Sequence, residues 1–308
     1  MKKKIIALIP CRLDSRRLFA KSLLSLDGLP LVVHTYRRAR LSKMLDEVYI
    51  CTDSKKIGKV ALKHNCKVIY TGKNPTGTDR ISEAAQKIKK KYDLYLDIQG
   101  DEPLLNPKHI DKVIRWHLEN KNFDIVVPSL KFKYIESANI VKIVKNNKKI
   151  IYFSRSKVPH PFIKNPLFYL KHLSIISFKP EALKNFRKLK KGKLEQIEGV
   201  ELMRALENDM TIGTFELSGS SFSVDTKSDF HKALIEHYNS LDRLSEYDGK
   251  TFDNMYMTSF LQHLIDIGIP VRANLVNNGW LEVDTLQDYE LYNKMLEEGS
   301  LVNYYNPD

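Results

Sequence analysis

IIALIPCRLDSRRLFAK is the sequence of residues 5–21, and it joins a short apolar run to a basic loop. An apolar run that ends at Pro10 and polar residues is typical of a buried strand. The loop after it carries four cations, which repel one another unless an anion lies among them: Arg12, Arg16, Arg17 and Lys21. Open α/β sheets bind ligands at the carboxyl ends of their strands. This stretch therefore predicts a first strand followed by a phosphate-binding loop, with a solvated basic loop as the alternative.

Further apolar runs alternate with helical patterns of about ten residues, which predicts an α/β fold with a doubly wound, mostly parallel sheet. These runs are residues 47–52, 67–70, 93–98 and 124–128. The next region predicts a hairpin that turns through Asn146-Asn147, followed by one helix over residues 194–207. Neither G-x-G-x-x-G nor G-x-x-x-x-G-K-[ST] occurs. Nucleotide binding would therefore be of neither the dinucleotide nor the P-loop kind.

Composition narrows the class of protein. The 308 residues carry a net charge of +13 and are 43% hydrophobic, enough for one large domain or a domain with an appendage. No apolar run approaches the ~20 residues of a membrane span. The apolar run near the N-terminus is too short for a signal peptide, so we expect a cytoplasmic protein with no membrane partner. Cys11, Cys51 and Cys66 show no metal-ligand spacing and are expected to be buried free thiols.

Charge is unevenly distributed along the chain. Residues 241–308 carry a net charge of −8, so residues 1–240 carry +21. Such asymmetry suggests two modules. A basic body could bind nucleic acid, but the lysines are scattered rather than gathered on one helix, so nucleic acid is not the expected partner.

Two aspartates follow predicted strands. Asp101 comes after residues 93–98, and Asp225 comes after residues 222–224. Magnesium is usually bound by one or two carboxylates together with phosphate oxygens. Each aspartate alone is more simply a turn or helix cap, but beside a cationic loop the pair predicts a site for a magnesium-bound nucleoside triphosphate.

Short motifs occur in a fixed order along the chain: Ile9-Pro10-x-Arg12, Arg17-Leu18, Lys21, Cys51-Thr52-Asp53, Gly77-Thr78-Asp79-Arg80, Gln99-Gly100-Asp101-Glu102-Pro103, Val141-Lys142, Tyr152-Phe153-Ser154-Arg155, His172-Leu173 and Val224-Asp225-Thr226. Together they resemble the cytidylyltransferases that activate 3-deoxy-manno-octulosonic acid (Kdo) with CTP. The resemblance covers residues 5 to about 240. It implies an α/β sheet with a smaller dimerisation subdomain, and a homodimer.

The resemblance also implies roles for individual residues. The nucleotide-binding set would comprise Pro10, Arg12, Ser15, Arg17, Lys21, Arg80 and Gln99. The last two would lie near the cytosine or ribose. Magnesium would be held by Asp101 and Asp225, which would be catalytic together with Lys21 and Arg12. The sugar acid would face Arg155, His172 and Glu201.

Several positions depart from the family pattern, and three of them bear on the predicted site. Ala20 stands where the family loop has glycine, and a left-handed backbone there would disfavour alanine. Ile176 stands where the family has a sugar-facing tyrosine, and Leu202 replaces an amide. The family's nucleotide-binding motifs are thus better preserved in this sequence than its sugar-binding motifs. This favours an acceptor related to Kdo or less hydroxylated than Kdo.

The C-terminal region lies outside this resemblance. Gly279-Trp280-Leu281-Glu282-Val283-Asp284-Thr285 resembles the ending of other nucleotidyltransferases, where the last aspartate is a metal ligand. Asp284 is therefore a rival to Asp225 as the second metal ligand. We predict a cytidylyltransferase domain over residues 1–240 and an acidic nucleotidyltransferase-like extension over residues 241–308.

Three functions follow from these observations. The first is transfer of CMP from CTP to the anomeric hydroxyl of Kdo or a Kdo-like acid, with release of pyrophosphate. The second is nucleotidyl transfer to a different acceptor, such as a phosphonate, a sialic-type acid or a sugar phosphate. The third is a non-catalytic protein that senses nucleotides or binds RNA.

Overall fold

The computed structural model describes residues 3–14, 20–26, 29–218, 246–247, 250–251 and 286–299. Its strands are β1 Ile5–Cys11, β2 Ser25–Leu26, β3 Leu29–Pro30, β4 Glu47–Thr52, β5 Val68–Tyr70, β6 Leu94–Ile98, β7 Ile125–Val126, β8 Ser129–Phe132, β9 Lys142–Asn146, β10 Lys149–Ser154, β11 Tyr169–His172, β12 Ile175–Phe178, β13 Ile212–Gly213, β14 Glu216–Leu217, β15 Glu246–Tyr247 and β16 Lys250–Thr251. Its helices are α1 Leu31–Arg40, α2 Lys55–Lys63, α3 Gly77–Lys87, α4 Pro107–Glu119, α5 Pro180–Phe186, α6 Lys193–Glu198, α7 Met203–Leu206 and α8 Leu286–Glu297. A single 3-10 turn spans Lys21–Leu23.

Twelve strands form one sheet in the order β14-β8-β11-β9-β10-β13-β7-β12-β6-β1-β4-β5. β1 lies between β6 and β4 and is parallel to both. β12 pairs antiparallel with β6, and most pairs beyond it are antiparallel as well. The predicted α/β fold is confirmed, with its parallel part at the end of the sheet that contains β1.

Helices cover both faces of this sheet, as a doubly wound fold requires. One core cluster packs α1, α2 and α4 against the sheet through Val33, Ile57 and Ile110. The other packs α3 and α5 against the opposite face through Ile81 and Leu183. Residues 5–9 are at most 1% exposed, because a central parallel strand is buried on both faces.

Local predictions hold with two corrections. The hairpin of β9 and β10 turns through Asn147, whose φ of 50° is one that asparagine tolerates. The single helix predicted over residues 194–207 is wrong, since α6 and α7 are separate and Gly199 between them has φ 61°. A left-handed glycine ends a helix because further helical hydrogen bonds cannot form. Cys11 was placed in the opening loop, but it is the last residue of β1.

The chain separates into two compact units, Met1–Ile269 and Pro270–Asp308, and α8 belongs to the second. The predicted boundary near residue 240 lies outside the described residues and stays a prediction. No helix in the described part of the chain is long and apolar enough to cross a bilayer.

A buried ion cluster joins α3, α6 and α7. Arg204 donates to Asp79 Oδ1 at 2.8 Å and to Glu195 Oε1 at 2.7 Å, and all three side chains are at most 7% exposed. Its guanidinium also lies over the ring of Phe186, 4.5 Å from the centroid. Buried charges are tolerated when each is paired and hydrogen-bonded. The cluster therefore fixes α3 against α6 and α7, which lie more than 100 residues later in the sequence.

A buried histidine ties α4 to β12. The Phe123 carbonyl can only accept, so His117 Nε2 carries the proton and donates to it at 3.1 Å. Nδ1 is then the acceptor for the Ser177 hydroxyl at 2.8 Å. Burial lowers the pKa of His117 from 6.5 to about 4. The imidazole is therefore neutral in the folded protein at neutral pH.

Removing the central cation of the ion cluster should destabilise the fold. Arg204→Met leaves Asp79 and Glu195 as unpaired buried carboxylates. We expect the free energy of unfolding to fall by about 3–5 kcal/mol, measured by urea denaturation at neutral pH. Arg187→Met is the matched control, because Arg187 is exposed and should change stability by no more than about 0.5 kcal/mol. Equal losses in the two variants would contradict the role of the cluster.

The buried histidine should make stability depend on pH. Above pH 6.5 the His117 side chain is neutral in both the folded and the unfolded protein. Below pH 6.5 it binds a proton in the unfolded chain but stays neutral in the folded protein until the pH approaches 4. We expect His117 to account for about 2 kcal/mol of unfolding free energy lost between about pH 8 and about pH 5. Urea denaturation at the two pH values should show a correspondingly smaller loss in His117→Gln. An unchanged pH dependence in the variant would contradict this assignment.

Candidate functional site

The site begins where β1 and β6 end side by side. Gly100 follows β6, and a Cβ there would lie 2.6 Å from the sulfur of Cys11, so only glycine permits this approach. The next residue, Asp101, pairs with Lys21, with 2.5 Å between Oδ2 and Nζ. These side chains are 23% and 13% exposed, so the pair remains open to solvent. The sheet thus brings a cation of the opening loop to a predicted metal ligand.

Ala20 holds the backbone conformation that the family's glycine would favour. Its φ of 50° and ψ of 30° are left-handed. The other non-glycine residues with positive φ in the described chain are asparagine or aspartate, which tolerate this region better than alanine. Ala20 therefore adopts a glycine-like backbone conformation at the cost of local strain, of about 1 kcal/mol.

Seven of the predicted site residues line one cavity of about 640 Å³: Pro10, Arg12, Arg80, Gln99, Arg155, His172 and Glu201. They come from the ends of β1, β6, β10 and β11, the start of α3 and the turn before α7. Four other predicted residues lie outside the described part of the chain: Ser15, Arg17, Asp225 and Asp284. Their placement stays a prediction.

Arg80 is held tightly in the wall of the cavity. It is 3% exposed, donates to Thr71 Oγ1 at 2.6 Å and forms an ion pair of 3.2 Å with Asp53. Asp53 belongs to a motif noted in the sequence, but its partner could not be foreseen. The pairing fixes the guanidinium against the cavity wall.

Glu201 lies at the centre of the lining. It accepts a hydrogen bond from the backbone nitrogen of Thr78 at 3.0 Å, at the start of α3. A Cβ on Gly77 would lie within 3.6 Å of Pro10, Gln99 and Glu201, so a side chain there would press on all three. The carboxylate is therefore positioned by backbone rather than by another charge.

Arg155 is anchored by three backbone carbonyls. Nε donates to Glu198 at 2.9 Å, Nη1 to Ala138 at 2.5 Å and Nη2 to Gly199 at 3.1 Å. A guanidinium has five N–H donors, so one on Nη1 and one on Nη2 remain for a ligand. The Glu198 carboxylate accepts from the Arg155 backbone nitrogen at 2.9 Å and from the Ser154 hydroxyl at 2.8 Å. Arg155 thus fastens β10 to the turn that carries Glu201.

Lys142 is a supporting residue that sequence reasoning noted only as part of a motif. It is fully buried, and its ammonium donates to the carbonyls of Ser137, Ile140 and Arg155. Burial and then the charge of Arg155 lower its pKa. Lys142 is the first residue of β9, whose sequence KIVKN contains a second, partly exposed lysine, so the pattern gave no signal for a buried role.

Asp97 was missed by sequence reasoning. It lies within β6, is 0% exposed, and its Oδ1 accepts from Gln99 Nε2 at 3.1 Å. Its Oδ2 has no hydrogen-bond partner among the described residues. Burial and then the charge of Glu201 raise its pKa well above the ordinary range. A buried neutral carboxyl group therefore lies behind Gln99.

His172 and Cys11 lie in the lining as uncharged groups. Burial and then the positive charge of Arg155 lower the pKa of His172 to about 4. Burial and then Asp101 raise the pKa of Cys11 to about 12, and the thiol is 4% exposed. His172 therefore acts as a neutral hydrogen-bonding group, and Cys11 is a poor target for thiol reagents.

The described residues include no group of three or more His, Cys, Asp or Glu side chains arranged to hold a metal ion. They do present one open carboxylate, Asp101, at the phosphate loop. This fits an ion such as magnesium, which is held by one or two carboxylates and completes its ligands with phosphate oxygens and water.

Comparison with known proteins agrees with this geometry. The family model described as Cytidylyltransferase matches residues 6–212. A 3-deoxy-manno-octulosonate cytidylyltransferase of Rickettsia prowazekii is 37% identical over 241 residues, which are 76% of this chain and 96% of the relative. Another, of Thermodesulfovibrio yellowstonii, is 37% identical over 246 residues, covering 74% of this chain and 96% of the relative.

A solved structure supports the same relationship. The CMP:2-keto-3-deoxy-manno-octonic acid synthetase complexed with CTP aligns with a TM-score of 0.73 and 29% identity. The alignment covers 77% of this chain and 100% of the solved one. Fold, motif order and sequence identity thus agree over most of the chain, and this chain belongs to the cytidylyltransferase family, within the group of 3-deoxy-manno-octulosonate cytidylyltransferases.

Proposed function

We propose that this chain transfers CMP from CTP to the anomeric hydroxyl of Kdo or a Kdo-like sugar acid. The observation that carries the proposal is one cavity that joins four of the predicted nucleotide-binding residues, Pro10, Arg12, Arg80 and Gln99, to the three predicted acceptor-binding residues. Relatives at 37% identity bear the name of this activity. CTP is the nucleotide bound to the related solved structure.

Nucleotide binding would use the end of the cavity formed by β1, β6 and α3. Arg12 and Lys21 would hold the triphosphate together with Ser15 and Arg17 of the same loop. Arg80 and Gln99 would face the cytosine or ribose. Because Arg80 is already paired with Asp53, it would present a fixed surface rather than close on the base.

In the reaction, the anomeric oxygen forms a bond to the α-phosphorus of CTP while the bond from that phosphorus to the bridging oxygen breaks. Pyrophosphate takes the electron pair and leaves, and the proton of the anomeric hydroxyl passes to solvent water. Cations preorganised around a leaving group stabilise its developing charge. Arg12 and Lys21 are the described residues suited to this role.

The family implies magnesium, and the described residues fit it through Asp101. A second carboxylate would come from Asp225 or Asp284. When bound, the ion would polarise the α-phosphate and reduce its repulsion of the incoming oxygen. Lys21 pairs with Asp101 in the free protein, so it would hold the carboxylate in position until the nucleotide arrives.

Acceptor binding would use Arg155, His172 and Glu201. The unused N–H groups on the two terminal nitrogens of Arg155 suit the carboxylate of a sugar acid. Neutral His172 and the Glu201 carboxylate would bind hydroxyl groups. The carboxylate of the acceptor would then lie at the C-terminal end of β10, and its hydroxyl groups would face α3.

The protein would act as a cytoplasmic homodimer. The loop between β10 and β11 exposes Phe162, Ile163 and Leu167, each at least 86% accessible. Three large apolar side chains exposed within six residues are typical of an interaction surface. We assign this loop to contact with a second copy, as the family resemblance implies. CTP is a cytoplasmic nucleotide, which agrees with the predicted location.

Loss of the metal-binding carboxylate should stop catalysis without unfolding the chain. Asp101→Asn keeps the side-chain shape, and we expect kcat for pyrophosphate release from CTP, magnesium and Kdo to fall about 100- to 1,000-fold. Asp225→Asn and Asp284→Asn are tested alongside, and the true second ligand should match Asp101→Asn. Asp209→Asn is the control, because Asp209 is an exposed turn residue and is not among the predicted site residues. Full activity in Asp101→Asn would contradict the metal assignment.

A charge placed in the apolar loop should prevent dimer formation. In light scattering after gel filtration, the wild-type protein should have twice the chain mass. Phe162→Asp combined with Ile163→Asp should reduce this to one chain mass, because buried charges are costly at an interface. Lys164→Asp changes the net charge by the same amount without removing an apolar side chain, so it should remain dimeric. A dimeric double variant would exclude this loop from the interface.

A further inference from the structure

The acceptor end of the cavity has an aliphatic inner wall. Val141, Ile176, Val200 and Leu202 all line it. Ile176 is 2% exposed and Leu202 is 1% exposed, and both belong to the core cluster on that face of the sheet. This surface offers no hydrogen bond to a ligand.

The wall is fixed in position by the fold. Ile176 lies in β12, where it pairs directly with Asp97 of the neighbouring strand β6. Leu202 precedes α7, which the ion cluster of Arg204 holds against α3. Neither side chain can turn away without disturbing the core, so a bound acceptor must adapt to the wall.

Lys191 and Gln196 also line the cavity, but the wall itself is aliphatic. The three predicted acceptor-binding residues have defined partners or charge states. Arg155 offers two N–H donors, His172 is neutral, and Glu201 already accepts from Thr78. An acceptor hydroxyl directed at the wall would lose its hydrogen bonds to water and gain none. A CH₂ or CH₃ group in the same place would gain from burial.

On the basis of the proposed function, we propose that the preferred acceptor is a 2-keto-3-deoxy acid with fewer hydroxyl groups than Kdo. Its carboxylate lies on Arg155, and a deoxygenated carbon or terminal methyl group faces Ile176 and Leu202. These two residues, which depart from the family pattern, are the specificity-determining pair. One hydroxyl against an apolar pocket changes kcat/KM by about 10- to 100-fold.

The test compares kcat/KM for pyrophosphate release with Kdo and with its 5-deoxy, 7-deoxy and 8-deoxy derivatives, at saturating CTP and magnesium. The wild-type protein should prefer at least one derivative over Kdo by about tenfold or more. Leu202→Gln restores an amide and should lower that preference about tenfold. Leu202→Met is the matched control, since it keeps the site apolar at similar volume and should leave the preference within about threefold.

Ile176→Tyr is a second variant whose folding is checked by its thermal midpoint, because a larger side chain can strain a packed core. A wild-type preference for Kdo over all three derivatives would overturn the inference and leave the proposed function intact. An unchanged preference in Leu202→Gln would also overturn it. Pyrophosphate release with none of the four acids, in a protein whose thermal midpoint still rises with CTP, would instead refute the proposed acceptor class as a whole.

Discussion

The cluster of Asp79, Arg204 and Glu195 is the interaction on which the geometry of the cavity depends. A charge inside a protein is tolerated only where its partners stay in place, so α3, α6 and α7 cannot shift independently. Two of these elements begin at the cavity, since Thr78 lies in the first turn of α3 and Glu201 lies just before α7. The 3.0 Å hydrogen bond between Thr78 and Glu201 is therefore a consequence of charges buried behind it. The position of Glu201 in the cavity is therefore stabilised by the buried ion cluster.

The two ends of the cavity are built in different ways. At the nucleotide end, the parallel ladder of β1 and β6 fixes Pro10 and Gln99, and a loop supplies the cations. That loop holds Ala20 in a left-handed conformation, so its path is set by the surroundings rather than by the preference of the residue. At the acceptor end, β10 and β12 supply Arg155 and Ile176 directly from the sheet. The proposed nucleotide end thus depends on a loop, whereas the proposed acceptor end is built on the sheet.

Sequence patterns predicted the strand ends because a buried strand is a run of apolar residues and the residues that follow it in the sequence are polar. They could not predict that Arg80 pairs with Asp53 or that Arg155 binds three carbonyls, because tertiary packing chooses those partners. The break at Gly199 was visible, since glycine commonly ends helices, but the apolar pattern across it favoured one helix. Asp97 was missed because a single carboxyl inside an apolar run gives no periodic signal. The fold was thus more predictable than the contacts that make it a site.

Acceptor preference in this arrangement is a matter of side-chain chemistry rather than backbone movement. A loop can accommodate a new ligand by changing its path, but β12 is hydrogen-bonded to β6 on one side and β7 on the other. The only feature that can vary at Ile176 is therefore the side chain itself. Because the same strand places Ser177 against buried His117 on the opposite face, its position is fixed from both sides. A substitution at Ile176 consequently changes the chemistry of the wall without requiring the backbone of β12 to move.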